Sequence, residues 1–226
     1  MEPVGDVIGG NSERSQVRRL PELAHYECHA VYGVLDATTI CHVGVVVDGQ
    51  PLVLPSLRVR RGDTLLLHGS KSSLLLRSAR DSPSICVSVT LVDGLIVARS
   101  AFNSSIAYRS AVVFGPARLL EDLEERREVL DTFVDGLLPG RTAEIRPSSE
   151  AELRLTSVVE VTIVEASVKI SEGPPSDDPD DIAGDAWAGV VPWRTVVDPP
   201  IPAPDGAVGE GRVRVPESIA RLSESR

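Results

Sequence analysis

Aromatic side chains are scarce in this 226-residue chain: two Trp, three Tyr and three Phe make up 4% of it, with a single Met. The core must therefore be aliphatic, and any flat aromatic surface has to come from a few identifiable positions. The three cysteines, Cys28, Cys41 and Cys86, have no Cys-x-x-Cys spacing. They do not build a disulfide framework, and they read as buried thiols of a cytoplasmic protein. Basic residues are in the minority, 23 Lys and Arg against 33 Asp and Glu, for a net charge of −10. That balance argues against a broad nucleic-acid surface and leaves an anionic ligand only a local cradle. No apolar run reaches the length of a membrane span, and residues 1–11 carry no basic segment followed by an apolar one, so no secretory signal is expected. A Walker loop, a Gly-x-Gly-x-x-Gly dinucleotide fingerprint and a Gly-x-Ser-x-Gly elbow are all missing.

What remains is a soluble, core-forming composition, 42% apolar and 25% charged. Residues 1–19 are polar and Gly-rich, which predicts a mobile N-terminal arm. Residues 199–226, rich in Pro, Gly and charge, predict an irregular tail. Between them, residues 20–198 read as one domain. Helical periodicity runs from Glu22 to Ala37, and an amphipathic helix from Glu121 to Leu138 ends at Pro139-Gly140. Ser149 to Glu152 has capping-box spacing. Strands are expected over 38–47, 51–59, 64–67, 85–92, 95–100, 108–119 and 158–170. Asp48-Gly49 and Asp93-Gly94 are read as hairpin turns. Strands joined by tight turns, with a few helices inserted, predict a mainly β, α+β fold: an antiparallel barrel with peripheral helices.

The chemistry-bearing residues concentrate where the strand Thr64–Leu67 runs into His68-Gly69-Ser70-Lys71-Ser72-Ser73. Helix N–H groups, hydroxyls and one ammonium there form either an anion cradle or an ordinary helix cap with a solvated Lys. His68 ends a strand and faces this turn, so it is a candidate for donating a proton or a hydrogen bond. His42 reads as a wall histidine. His25, Cys28 and His29 are spaced either as metal ligands or as a surface His pair beside a buried Cys. Arg109 enters an apolar strand and needs a carboxylate, Glu160 or Glu165, or a ligand. Trp187 and Trp193 belong either to the core or to a flap over a flat ligand or a subunit.

Several short stretches, in order, resemble the pyridoxamine 5′-phosphate oxidase-like flavin-binding split barrels, in particular the nitroimidazole-resistance-protein-like branch. They are Ile40-Cys41-His42-Val43-Gly44, Asp48-Gly49-Gln50-Pro51, Leu67-His68-Gly69-Ser70, Val92-Asp93-Gly94-Leu95, Tyr108-Arg109-Ser110, Glu165-Ala166-Ser167-Val168-Lys169 and Trp187-Ala188-Gly189-Val190. The resemblance implies a six-stranded antiparallel split β-barrel, a homodimer, and FMN held in a groove between subunits, with oxidoreductase activity on a small organic substrate. It implies that the backbone of Pro55, Ser56 and Leu57 meets the isoalloxazine edge. The turn of His68, Gly69, Ser70, Lys71 and Ser73 is implied to lie near the phosphate and ribityl chain. Arg109, Lys169 and Trp187 would complete the pocket. Leu74 stands where many relatives carry Arg, with Lys71 or Arg77 as substitutes for the missing guanidinium. Other expectations are a deazaflavin in place of FMN, a non-catalytic flavin- or haem-binding module, and a metal protein built on His25, Cys28 and His29.

Overall fold

The structure is a computed structural model describing residues 7–10, 12–203 and 215–224. A 3-10 turn (Pro21–Leu23), β1 (Ala24–His25) and α1 (Cys28–Asp36) lead into β2 (Ile40–Val47), β3 (Gln50–Arg61), β4 (Thr64–Ser70) and α2 (Leu74–Asp81). Two long strands, β5 (Ile85–Val97) and β6 (Ser105–Gly115), are followed by β7 (Ala117–Leu119), α3 (Leu123–Leu137) and α4 (Glu150–Leu155). Then come β8 (Thr156–Thr162), β9 (Glu165–Ser171), α5 (Pro179–Ile182), β10 (Gly189–Pro192) and α6 (Glu217–Glu224).

Every strand pairing among the described residues is antiparallel. The β2–β3 hairpin turns on Asp48 (φ 49°) and Gly49 (φ 76°), both left-handed as a two-residue type I′ turn requires. Two bent strands then close the sheet. In β3, residues 50–57 pair with β2, and residues 58–61 cross over to β4. The second bend is at Gly115-Pro116, where β6, paired with β5 and β9, continues into β7, paired with β8. At that corner a Cβ on Gly115 would sit 1.7 Å from the Thr162 carbonyl oxygen, so only glycine fits. The resulting circuit, β2–β3–β4–β8–β7/β6–β5, is the expected six-stranded split barrel. Among the described residues the sheet has ten strands because β6 and β7 count separately and β1, β9 and β10 extend it.

The three consecutive leucines of β4 show how the layers are built. Leu65 and Leu67 point into the barrel with Val43, Val87, Val113 and Val161, while Leu66 points outward beneath Val129 and Phe133 of α3. A strand covered on both faces needs an unbroken apolar run. Each fully buried Leu contributes about 1.5–3 kcal/mol. One end of the barrel is plugged by Leu75, Leu76 and Ala79 of α2. α3 starts at Asp122, whose carboxylate accepts from the Glu124 and Glu125 amides, and α4 starts with the expected Ser149–Glu152 capping box.

Several expectations are corrected. Asp93-Gly94 is no hairpin: β5 runs through it with a bulge between Val92 and Gly94, because β10 crosses there and a Cβ on Gly94 would meet the Val191 oxygen at 2.4 Å. The N-terminal segment, expected to be a free arm, packs on the barrel over its described residues, 7–10 and 12–19. Ile8 is buried, and its carbonyl accepts from the Ala166 amide at 3.2 Å. The helix expected from Glu22 begins only at Cys28, since 21–25 form the 3-10 turn and β1. The tail is not irregular throughout: α6 docks through Ser218, whose amide and hydroxyl both donate to Glu144. The stretch 204–214 lies outside the described residues.

Candidate functional site

The turn that opens α2 is held by its own short-range chemistry. Ser73 Oγ accepts from the Leu76 amide at 3.3 Å, Ser70 and Ser72 hydroxyls lie 2.9 Å apart, and the Lys71 amide donates to Leu155 O at 3.0 Å. So Ser73 is the helix cap, and Ser70, Lys71 and Ser72 remain exposed at the tip. Leu74 is exposed as well, 46%, and brings no charge.

His68 shares the α3-facing side of β4 with Leu66. Its ring meets Phe133 edge-on, centroids 4.5 Å apart at 71°, and its Nδ1 is buried with no hydrogen-bond partner. Burial pushes the imidazole below its ordinary value, so it is neutral at physiological pH. It can donate or accept one hydrogen bond but is not a resident cation.

Beside this turn lies a cleft of about 240 Å³ whose walls carry Lys71, Arg77, Arg80 and Arg126 over Leu76 and Leu119. Arg126 donates to the carbonyls of Leu153 (2.9 Å) and Leu120 (2.6 Å), and its Nε is buried without a partner.

The second region lies where β5 and β6 meet β10. Arg109 grips Asp93 through two bonds, 2.8 and 2.7 Å, which hold the carboxyl below its usual range and raise the guanidinium. Its partner is Asp93, not Glu160, which binds Arg61 and Arg118, nor Glu165, which binds Arg14. The Trp193 amide donates to Asp93 O at 2.9 Å. A groove of about 760 Å³ runs here between Thr38, Thr39, Thr90, Arg109, Trp193 and Arg194. Trp187 (66% exposed) and Trp193 (51%) are surface residues, not core. Lys169 Nζ donates to Arg19 O at 2.8 Å.

Between these regions, Pro55, Ser56 and Leu57 lie where β3 pairs with β2 on one edge only, leaving backbone groups on the other edge without a strand partner. Next along the strand is Arg58, 2% exposed. One Nη donates to Thr38 O at 2.6 Å, and its Nε is buried without a partner. It lines a smaller cavity of about 240 Å³ with Thr38, Thr39 and Asp36. Neither Arg58 nor Arg126 was singled out from the sequence. The signal for Arg58 was its place between Leu57 and Val59 in an alternating strand. Arg126 looked like any other charge on a helix rich in charge.

The chain thus brings His68, Ser70, Lys71 and Ser73 together at one place and Arg109 with the groove beside Trp193 at another. Among the described residues, no hydrogen bond, ion pair or shared pocket joins the two groups. His42 is exposed on β2. Cys41, buried, has its thiol pushed up to about 11 and is no nucleophile. Among the described residues no group of three His, Cys, Asp or Glu side chains is placed to hold a metal, which leaves His25, Cys28 and His29 without support as a site. Among those residues, too, no helix is long and apolar enough to cross a membrane.

This geometry can be set against known proteins. Residues 27–170 match the model of the pyridoxamine 5′-phosphate oxidase family. The chain belongs to that family. Among solved structures it is similar to the flavocytochrome Anf3 from Azotobacter vinelandii, with 40% identity over 93% of this chain and 96% of that one, at a TM-score of 0.87. A FAD and haem binding protein from Mycobacterium smegmatis is 39% identical over 88% of this chain and 97% of its own, at 0.84. A 5-nitroimidazole antibiotic resistance protein from Bacteroides thetaiotaomicron shares the fold, at 22% identity over 65% of this chain and 86% of its own and a TM-score of 0.55. No curated protein matches the chain.

Proposed function

We propose that this protein binds a flavin, FMN or FAD, in a groove completed by a second copy of the chain, and that it is an oxidoreductase acting on a small organic substrate. The observation that carries the reading is the one-sided edge of β3 at Pro55, Ser56 and Leu57, next to which Arg58 Nε is buried without a partner. Buried polar atoms are almost always satisfied, and a missing partner costs about 1–3 kcal/mol each. A polar ligand at this edge would supply such a partner. The single-sided edge at Pro55, Ser56 and Leu57 suits the alternating donors and acceptors of an isoalloxazine rim. The relatives from Azotobacter and Mycobacterium support a flavin.

A second copy is supported by apolar side chains left exposed on β2 and β3 (Ile40, Val46, Val53) and on the β10 segment (Trp187, Val191, Trp193). In a homodimer, Arg109, Lys169 and Trp187 of one chain would complete the pocket whose other side is the His68–Ser73 turn of its partner.

Bound there, the flavin supplies the redox chemistry. The residues of this chain bind and orient it. His68, neutral and backed by Phe133, offers one ring N–H as a hydrogen bond to a bound acceptor. Phe133 and Leu66 keep water from the rear of that ring.

A second reading is a flavin- and haem-binding module without turnover, used for storage, sensing or delivery. It is favoured by the haem of the Mycobacterium relative and by the neutral imidazole of His68, the protonation state a haem iron takes. A deazaflavin would occupy the same groove. Titrating apo-protein with FMN and FAD under fluorescence detection separates binding from no binding. Adding NADH or NADPH and an acceptor then separates turnover from storage. Steady-state turnover excludes the module, and no quenching with either flavin excludes the flavin reading altogether.

A further inference from the structure

The sheet has a gap beside the end of α1. Along one side of β5, residues 86–88 pair with β2 and residues 94–97 pair with β10, so residues 89–93 have no strand partner there. The groove of about 760 Å³ occupies this gap. One bank is the end of α1 running into β2, residues 36–39, and the other is the chain leaving β10, residues 193–195. Open main-chain groups of β5 and the hydroxyls of Thr38, Thr39 and Thr90 give it a bed that can hydrogen-bond a ligand at several points.

Its charges are uneven. The two carboxylates on its walls are already held, Asp36 by Arg60 and Asp93 by Arg109. Glu172, which Arg109 also feels, is the further acidic group on that side. Arg194, exposed on the rim, has no ion pair or hydrogen bond from its guanidinium among the described residues. The smaller hollow that adjoins the groove shares Asp36, Thr38 and Thr39 with it and contains Arg58. That guanidinium is 2% exposed and meets no carboxylate: one Nη donates to Thr38 O, and Asp36, whose charge it feels, is bound by Arg60. A neutral acceptor can satisfy its orphaned Nε, but a buried positive charge calls for a negative one.

We propose that this groove is the substrate site and that the substrate is a planar organic monocarboxylate, whose carboxylate is bound by Arg194. A guanidinium meets a carboxylate through two parallel hydrogen bonds, and one free fork on the rim matches one such group. The buried charge of Arg58 behind Thr38 and Thr39 adds attraction without contact, because a charge away from solvent is weakly screened. A dianionic phosphate ester would find a single cation to grip. Trp193, half exposed, gives the flat part of the acid a wall. The assignment rests on the flavin reading, since a substrate has to lie beside the flavin. Thr39 makes that connection: its carbonyl accepts from the Arg58 amide at 2.8 Å, one step beyond the Ile40–Leu57 pair of the ladder that carries Pro55, Ser56 and Leu57.

Isothermal titration of the full chain, before and after loading with FAD, against benzoate and its neutral isostere benzamide tests the site in the wild type, Arg194→Gln and Arg194→Lys. Thermal melts check that substitution of this exposed residue leaves the fold intact. Benzoate is expected to bind about tenfold or more tighter than benzamide, and Arg194→Gln to remove that preference while leaving benzamide as it was. Arg194→Lys keeps the charge without the fork and should lose less. In the loaded protein benzoate should also shift the flavin absorption bands. Arg194-dependent binding that leaves the spectrum of a bound flavin unchanged overturns the substrate assignment. The same binding in a protein that takes up no flavin sinks the flavin reading and keeps the groove as an acid site. No benzoate binding, equal binding of benzoate and benzamide, or binding indifferent to Arg194→Gln overturns the site even if flavin binds.

Discussion

The turn at α2 and the groove beside Arg109 both carry arginine, and they carry it in opposite states. Beside α2, Lys71, Arg77 and Arg126 face an open cleft without a carboxylate. Beside β10, Arg109 is closed onto Asp93 by two hydrogen bonds, and what the groove offers is Trp193, threonines and Arg194. A charge already paired in the folded chain has little left to give a ligand, because breaking the pair costs what the new contact returns. One region therefore gathers several cations without a contacting carboxylate, and the other sets one, Arg194, beside an aromatic ring. A flavin has the same asymmetry, an anionic end and a flat ring end. The two regions are separate within one chain, which is why the proposed groove needs a second copy.

The sharpest way to break this contrast is the double variant Lys71→Ala with Arg77→Ala. FAD affinity should fall about a hundredfold, two charge-assisted contacts at roughly tenfold each, with riboflavin unchanged in fluorescence titration. Equal losses for riboflavin would mean that the two side chains do not read phosphate. Trp193→Ala should act without regard to phosphate: riboflavin, FMN and FAD should all weaken by the same factor, roughly two- to tenfold. A loss confined to the phosphorylated flavins would erase the distinction between the regions.

Arg109→Ala should matter less. The pair is about one-third exposed, so stability should drop by no more than about 1 kcal/mol in urea melts. Because Arg109 lowers the Asp93 carboxyl, its contribution is present above the ordinary carboxylate range and disappears as pH falls through the depressed value. The variant should therefore show a flatter acid limb. An affinity loss matching that of the double variant would show Arg109 to be open after all. His68→Leu is expected to have the smallest effect on stability, seen in its pH dependence. Burial depresses this imidazole, so below about 6.5 the unfolded chain takes up a proton that the folded chain resists, and stability falls on acidification. The variant should lose that slope between pH 7.5 and 5 in urea melts.

Much of the fold was legible in the sequence, because it rests on local rules. Asp48-Gly49 forms its turn from the conformations those residues favour, and Ser149 with Glu152 forms its capping box. Asp93-Gly94 obeyed the same turn rule and misled, because the approach of β10 at Gly94, far away in sequence, decided the outcome. The site was less legible for the same reason. The His68–Ser73 turn was visible as a cluster, but whether a cation is free depends on distant partners. Nothing adjacent to Arg109 in sequence named Asp93 as its partner. Nothing adjacent to Arg126 indicated that it would be pinned between Leu120 and Leu153.

The central claim is that this chain holds a flavin, and the most direct measurement is the ultraviolet–visible spectrum of the purified, concentrated protein, repeated after incubation with FAD and removal of the excess. A flavin spectrum that persists through the wash, with or without a haem band, is the predicted result. A colourless protein that remains colourless after incubation would contradict it.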